Sequence, residues 1–101
     1  MKALSSTELK PLQFKKESPS QKVRASTAKI GWIHSMSDKP GAKFDIVIKD
    51  ALGRRKFERK NCGAETKQFG QLINLPTLLG EELEVSLENI HGAERIDLFL
   101  N

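Results

Sequence analysis

The chain has no tyrosine, a single tryptophan and a single cysteine among 101 residues. One thiol excludes an internal disulfide and any metal site built on a cysteine cluster. Cys62 stands in NCGAE with no other Cys or His close to it, which reads as a small residue in a turn. Only two histidines occur, His34 and His91, 57 positions apart. A metal site would need both to converge with a carboxylate. No serine sits in a nucleophile turn, and no base is placed to activate one. The seven glycines fall in or beside separate turns, so no loop is built to cradle a phosphate. Glu81, Glu82 and Glu84 read as the wet face of a strand. The expectation is a protein that is not an enzyme, with no cofactor and no metal. Sugar-binding faces need several flat aromatics, whereas this chain has six in all, and Trp32 reads as core. No stretch approaches the roughly 20 apolar residues of a membrane helix. The opening MKALSSTELKPLQFKK lacks the apolar run of a secretory signal. Cytoplasmic or virion placement is expected, with no membrane partner.

Positive charge is present in excess, and unevenly. Residues 1–29 carry seven Lys/Arg against two Glu, while residues 30–101 hold ten basic and eleven acidic side chains. Residues 1–28 also contain two prolines and seven Ser/Thr, with Leu9, Leu12, Phe14 and Val23 standing singly. A segment so poor in apolar residues cannot build a core of its own. It reads as a basic extended N-terminal arm, ahead of a domain spanning residues 29–101. Leu12 and Phe14 alternate around Gln13, so a short strand fits there too.

From Lys29 onward the period is two. Ile30, Trp32 and His34 alternate with Gly31, Ile33 and Ser35, and Ser37–Gly41 is a turn. Phe44, Ile46 and Ile48 share one face of KFDIVIK, and Asp50-Ala51-Leu52-Gly53 reads as a hairpin connection. The return, RRKFERK, has Phe57 as its one apolar anchor and looks like a charged edge strand. Asn61-Cys62-Gly63 reads as the next turn. Phe69, Ile73 and Leu75 share a parity before Pro76, and Leu78-Leu79-Gly80 reads as a loop capping the core. Leu83, Val85 and Leu87 alternate in EELEVSLE, as do Ile96, Leu98 and Leu100 in RIDLFLN, with Phe99 on the other face. A helix would scatter these residues around its circumference; a strand aligns them. Five or six short strands without a helix imply an all-β fold, a small antiparallel β-sandwich.

Charge within the domain is polarised. Residues 39–67 hold nine basic and four acidic residues, and residues 68–101 hold one basic and six acidic. One reading is cross-strand pairing, with strand 54–60 lying beside strand 81–88. The other leaves a basic face, Arg54, Arg55, Lys56, Arg59 and Lys60, free to meet an acidic face of another copy or nucleic acid. Phe57 is the only aromatic in that run, a thin supply for base stacking.

The pieces FDIVIKDALGR and LINLPTLLGEELEVSLENIHGAERIDLFLN resemble the back half of galactose-binding-domain-like jelly rolls, over roughly residues 44–101. The resemblance implies a jelly-roll sandwich. It carries over no ligand residue, because that family's sites lie in loops that differ between members.

Architecture, charge and missing chemistry together suggest a structural or assembly protein, oligomeric or assembly-bound, of the kind that decorates viral or phage capsids. Lys10, Lys15, Lys16, Lys22 and Arg24 would dock the arm by charge, with Leu12 and Phe14 as its apolar anchor. On this expectation, deleting residues 2–28 leaves a folded domain. The alternative is a carbohydrate- or nucleic-acid-binding accessory module, and sugar binding predicts an exposed Trp32.

Overall fold

Alternation in the sequence becomes pairing in space. The computed structural model describes residues 12–67 and 69–101, and among them are eight strands and no helix. They are β1 (Leu12–Lys15), β2 (Ser20–Arg24), β3 (Lys29–Ser37), β4 (Ala42–Asp50), β5 (Arg55–Ala64), β6 (Phe69–Pro76), β7 (Glu82–His91) and β8 (Arg95–Leu100). The innermost pair is the β4–β5 hairpin, outside which β3 pairs with β6, β2 with β7 and β1 with β8, all antiparallel. A long hairpin rolled on itself in this way also brings β8 beside β3 and β7 beside β4. The result is two four-stranded sheets, β1-β8-β3-β6 and β2-β7-β4-β5. This is the jelly-roll arrangement, the sandwich that the resemblance implied.

The pivot of the roll is chemically well defined. The Asp50 carboxylate accepts the backbone N–H groups of Leu52 and Arg54, each at 2.9 Å, and pairs with the Arg54 guanidinium. Gly53 supplies the left-handed residue, at φ 80°. The core between the sheets is made by the expected rows. Phe44, Ile46 and Ile48 of β4, Leu83, Val85 and Leu87 of β7, and Ile96 and Leu98 of β8 are all buried.

The front of the chain departs from expectation. Phe14 of β1 is fully buried, and Leu12 and Val23 pack against the same core. Lys22 and Arg24 of β2 stand opposite Glu84 and Glu82 of β7. Residues 12–28 therefore belong to the sandwich, and the boundary at residue 28 does not separate an arm from a domain. Phe14 is no anchor for a foreign surface, and the positive charge of Lys22 and Arg24 faces an acidic strand of the same molecule. The physical reason is that an edge strand needs only one or two inward apolar residues once its neighbour is ordered. Counting apolar residues over a long window hides that. Of the arm residues, Lys15 and Lys16 are exposed, and Lys10 lies outside the described residues.

Two smaller expectations also change. The Asn61–Gly63 turn is absent: β5 continues through it to Ala64, with Asn61 at φ 60° where the pairing to β4 shifts register. Leu78 and Leu79 do not cap the core; both are exposed in the β6–β7 loop. No helix among the described residues is long and apolar enough to cross a membrane.

Phe14→Ala removes a fully buried ring and is expected to cost about 3–5 kcal/mol. That is a large part of the roughly 5–15 kcal/mol available to a domain. Deleting residues 2–28 removes two strands and should abolish the urea unfolding transition. A deletion variant that unfolds with wild-type cooperativity would show these strands to be dispensable.

Candidate interaction face

The two outer faces of the sandwich differ in chemistry, and one irregularity in β3 produces the difference. Ile30 points inward, but so do Ile33, Ser35 and Ser37, which are buried. Between Ile30 and Ile33 the phase changes. The backbone N–H groups of Gly31 and Trp32 both donate to the Asn101 carbonyl, at 2.9 and 3.0 Å, so two residues oppose one. Such a bulge reverses the facing of every later side chain. Trp32, His34 and Met36 are thereby turned to the outer face. The expectation that Trp32 is core is overturned: its residue exposure is 45%.

Neighbouring strands complete this surface. Leu72 of β6 is paired with Trp32 and is 51% exposed. His34 lies between Phe99 of β8 and Gly70 of β6. Its imidazole is near-parallel to the Trp32 indole, at 22° and 6.1 Å between ring centres. The ring leans over Gly70, where an added Cβ would come within 2.8 Å of His34 Nδ1. At the other end Met36 is paired with Asp97, which Gln13 of β1 flanks in turn. Asp97 is buried and forms an ion pair with Arg95 at 3.3 Å, without hydrogen-bond geometry. A strip of Trp, His, Phe, Leu and Met thus runs across the outer side of sheet β1-β8-β3-β6.

The opposite outer face is a ladder of charge. In the pairing order across the sheet, Lys22, Glu84, Lys49 and Arg55 form one row, and Ser20, Ser86, Val47 and Glu58 the next. Ser20 and Ser86 share a hydroxyl contact of 2.9 Å. The Asp45 carboxylate accepts the Asn61 backbone N–H at 2.9 Å and the Asn89 side-chain amide at 2.8 Å, which holds its pKa below the usual range. This face is wet and electrically self-balanced.

The candidate basic face is largely engaged within the molecule. Arg54 pairs with Asp50, Arg55 with Glu58 at 2.8 Å, and Lys56 with Glu81 at 2.9 Å. The Lys56 ammonium, together with the Leu78 backbone N–H, lowers the Glu81 pKa. Arg59 lies over the Phe57 ring at 5.4 Å and donates to Gln71 Oε1 at 3.2 Å. Lys60 is exposed. Strand β5 is not beside β7, as pairing of the two charged segments would require; β4 lies between them. The acidic strand instead has the basic β2 on its other side. A phosphate backbone would have to displace these carboxylates. The segregated acidic and basic faces needed for head-to-tail stacking do not form.

His34 and His91 lie on different sheets. Among the described residues no three His, Cys, Asp or Glu side chains gather as metal ligands would. Cys62 faces the core, where burial pushes its thiol pKa up, away from the reactive thiolate. A cleft of about 180 Å³ opens where β1 and β2 diverge, lined mainly by Leu12, Val23, Ile30, Leu83 and Leu100. Its one charged side chain, Arg24, donates to the Gly80 carbonyl.

No protein-family model matches the chain, and no curated protein matches it either. Among solved structures, the insecticidal delta-endotoxin Cry8Ea1 from Bacillus thuringiensis aligns with TM-score 0.46 and 13% identity, over 90% of this chain and 18% of that one. A structure of infectious bursal disease virus, Gt strain, gives 0.44 and 15%, over 91% of this chain and 29% of that one. The carbohydrate-binding module CBM36, solved with calcium and xylotriose, gives 0.42 and 17%, over 91% and 88%. The chain thus spans less than a third of the first two proteins. These are likenesses of fold.

Asp45→Asn tests the charged face. Since the folded-state pKa of Asp45 is depressed, its contribution is present above about pH 4, the ordinary carboxylate value, and is lost as pH falls through the folded value. The variant should be less stable than wild type at pH 7, with the gap narrowing as pH is lowered below about 4 in urea titrations. A stability gap that persists unchanged at low pH would contradict this account.

Proposed function

We propose that this protein is a non-enzymatic structural module that takes its place in a larger protein assembly, as capsid-decorating proteins do. It engages through the outer face of sheet β1-β8-β3-β6 rather than through a leading arm. One observation carries the reading: one outer face balances its charges internally, while the other presents Trp32, Leu72, Phe99, His34 and Met36. Contiguous apolar surface of this kind marks an interaction site. Trp and Met are enriched in the buried centres of protein interfaces, where charged residues are depleted. A flat sheet face suits another folded surface better than a small molecule, which needs concavity.

The near-parallel Trp32 and His34 rings favour a second reading, a carbohydrate-binding module whose sugar stacks on the indole. Retardation in gels containing soluble polysaccharide, abolished by Trp32→Ala, would support that reading over assembly.

Hydroxyl-radical footprinting in the native assembly tests the first reading directly, because Trp32 and Met36 are both oxidation-sensitive. Both should be strongly protected in the particle and reactive in the purified chain, while Leu52, exposed at the β4–β5 hairpin, stays equally reactive in both. Equal reactivity of Trp32 and Met36 in the two states would overturn the reading.

A further inference from the structure

Among the described strands the two sheets end in four edges, β1 and β6 on one sheet and β2 and β5 on the other. Exposed edges invite pairing with stray strands, and charged side chains are the usual guard. Strand β5 carries Arg55, Lys56, Glu58, Arg59 and Lys60; β2 carries Lys22 and Arg24; β1 carries Lys15. Strand β6 reads FGQLINLP and carries no ionisable side chain. It is the one edge among the described strands without that guard.

We propose that β6 is the contact between two copies of this chain, pairing antiparallel about a two-fold axis to make one continuous eight-stranded sheet. The inference deepens the assembly reading, on which it rests for its purpose, by naming the partner as a second copy. Two-fold antiparallel pairing sets the residues on either side of the axis against one another, so an edge dominated by one sign, as β2 and β5 are, would bring like charges together. Strand β6 brings no charge of its own to such a seam. It also offers a matching apolar row. Leu72 is directly paired with Trp32, and both are exposed. Across the seam the row continues as Trp32, Leu72, then Leu72 and Trp32 of the second copy, at strand spacings of about 4.8 Å. The apolar strip of one molecule is thereby joined to that of the next.

Two details set the extent and strength of the contact. The left-handed Asn74, at φ 51°, together with Pro76, spoils one end of the edge, so pairing centred on Leu72 is regular over Gln71–Ile73. Arg59 reaches the Leu72 carbonyl from the other sheet at 3.4 Å, near the outer limit of a hydrogen bond and weak enough for an incoming N–H to displace. A seam of about 10 Å, at roughly 3.3 Å per residue, is short. Association is therefore weak in isolation, as suits a contact repeated many times in an assembly.

Sedimentation equilibrium of the purified full chain, from about 1 µM to about 1 mM, tests this. The expected mass rises from the 11.3 kDa monomer towards twice that value. Leu72→Lys should hold the chain at monomer mass, with its far-UV dichroism unchanged, whereas Leu52→Lys should associate as wild type does. Amide chemical shifts of the unmodified chain give a readout free of any folding effect: those of residues 71–73 should move with concentration. A wild-type chain that stays monomeric throughout would overturn self-pairing, leaving the footprint of Trp32 and Met36 to decide the assembly reading. Dimers that survive Leu72→Lys, or concentration-dependent shifts confined to other strands, would overturn it as well.

Discussion

One carbonyl group decides what this protein shows to its surroundings. The Asn101 oxygen receives the backbone N–H groups of both Gly31 and Trp32, and this two-to-one pairing reverses the phase of β3. Without it, strict alternation from Ile30 would point Trp32 and His34 into the core and leave Ile33, Ser35 and Ser37 outside. With it, the interior receives Ile33 and two small serines, one of them bonded to the Gly63 carbonyl of the other sheet at 3.2 Å. The outside receives an indole, an imidazole and a thioether. The sandwich core and the candidate interaction face are thus two results of the same backbone event.

The electrostatics follow from the rolled topology. Strand β7 is rich in glutamate and the chain as a whole is basic, yet no acidic face results, because rolling the hairpin puts β2 and β4 on either side of β7. Lys22, Arg24 and Lys49 meet the glutamates in register. Opposite charges set in register on an exposed strand face contribute little to stability, since even a formed exposed pair is worth about 0–1 kcal/mol. Their effect is to leave one sheet electrically quiet, which throws the apolar sheet into relief. Local ion pairs along β5 do the same for the basic run, and only Lys60 of the five residues remains without a described ion pair or hydrogen bond.

Much of the fold was legible from alternation alone. The inward rows of β4, β7 and β8 stand in the sequence as Phe44/Ile46/Ile48, Leu83/Val85/Leu87 and Ile96/Leu98/Leu100, and the hairpin at Asp50–Gly53 is written in its turn chemistry. What was not legible depends on groups far away in sequence. The facing of Trp32 is set by the chain's last residue, and the course of β5 past Asn61 by the Asp45 carboxylate sixteen residues earlier. Strand β1 exists because β8 is there to receive Phe14. The candidate face went unread for the same reason: it joins single residues of β3, β6 and β8, none of which forms a motif with its own neighbours. The uncharged stretch FGQLINLP was visible, but its meaning needed the knowledge that β6 is an edge.

Core and candidate interaction face alike turn on the outward phase of β3, and the chain's single indole reports on it. Acrylamide quenching of tryptophan fluorescence, at concentrations low enough to keep the chain monomeric, is the most direct measurement. With Trp32 half-exposed, the emission should be red-shifted and readily quenched by acrylamide. A blue-shifted emission that resists the quencher would place Trp32 in the core and contradict the account at its root.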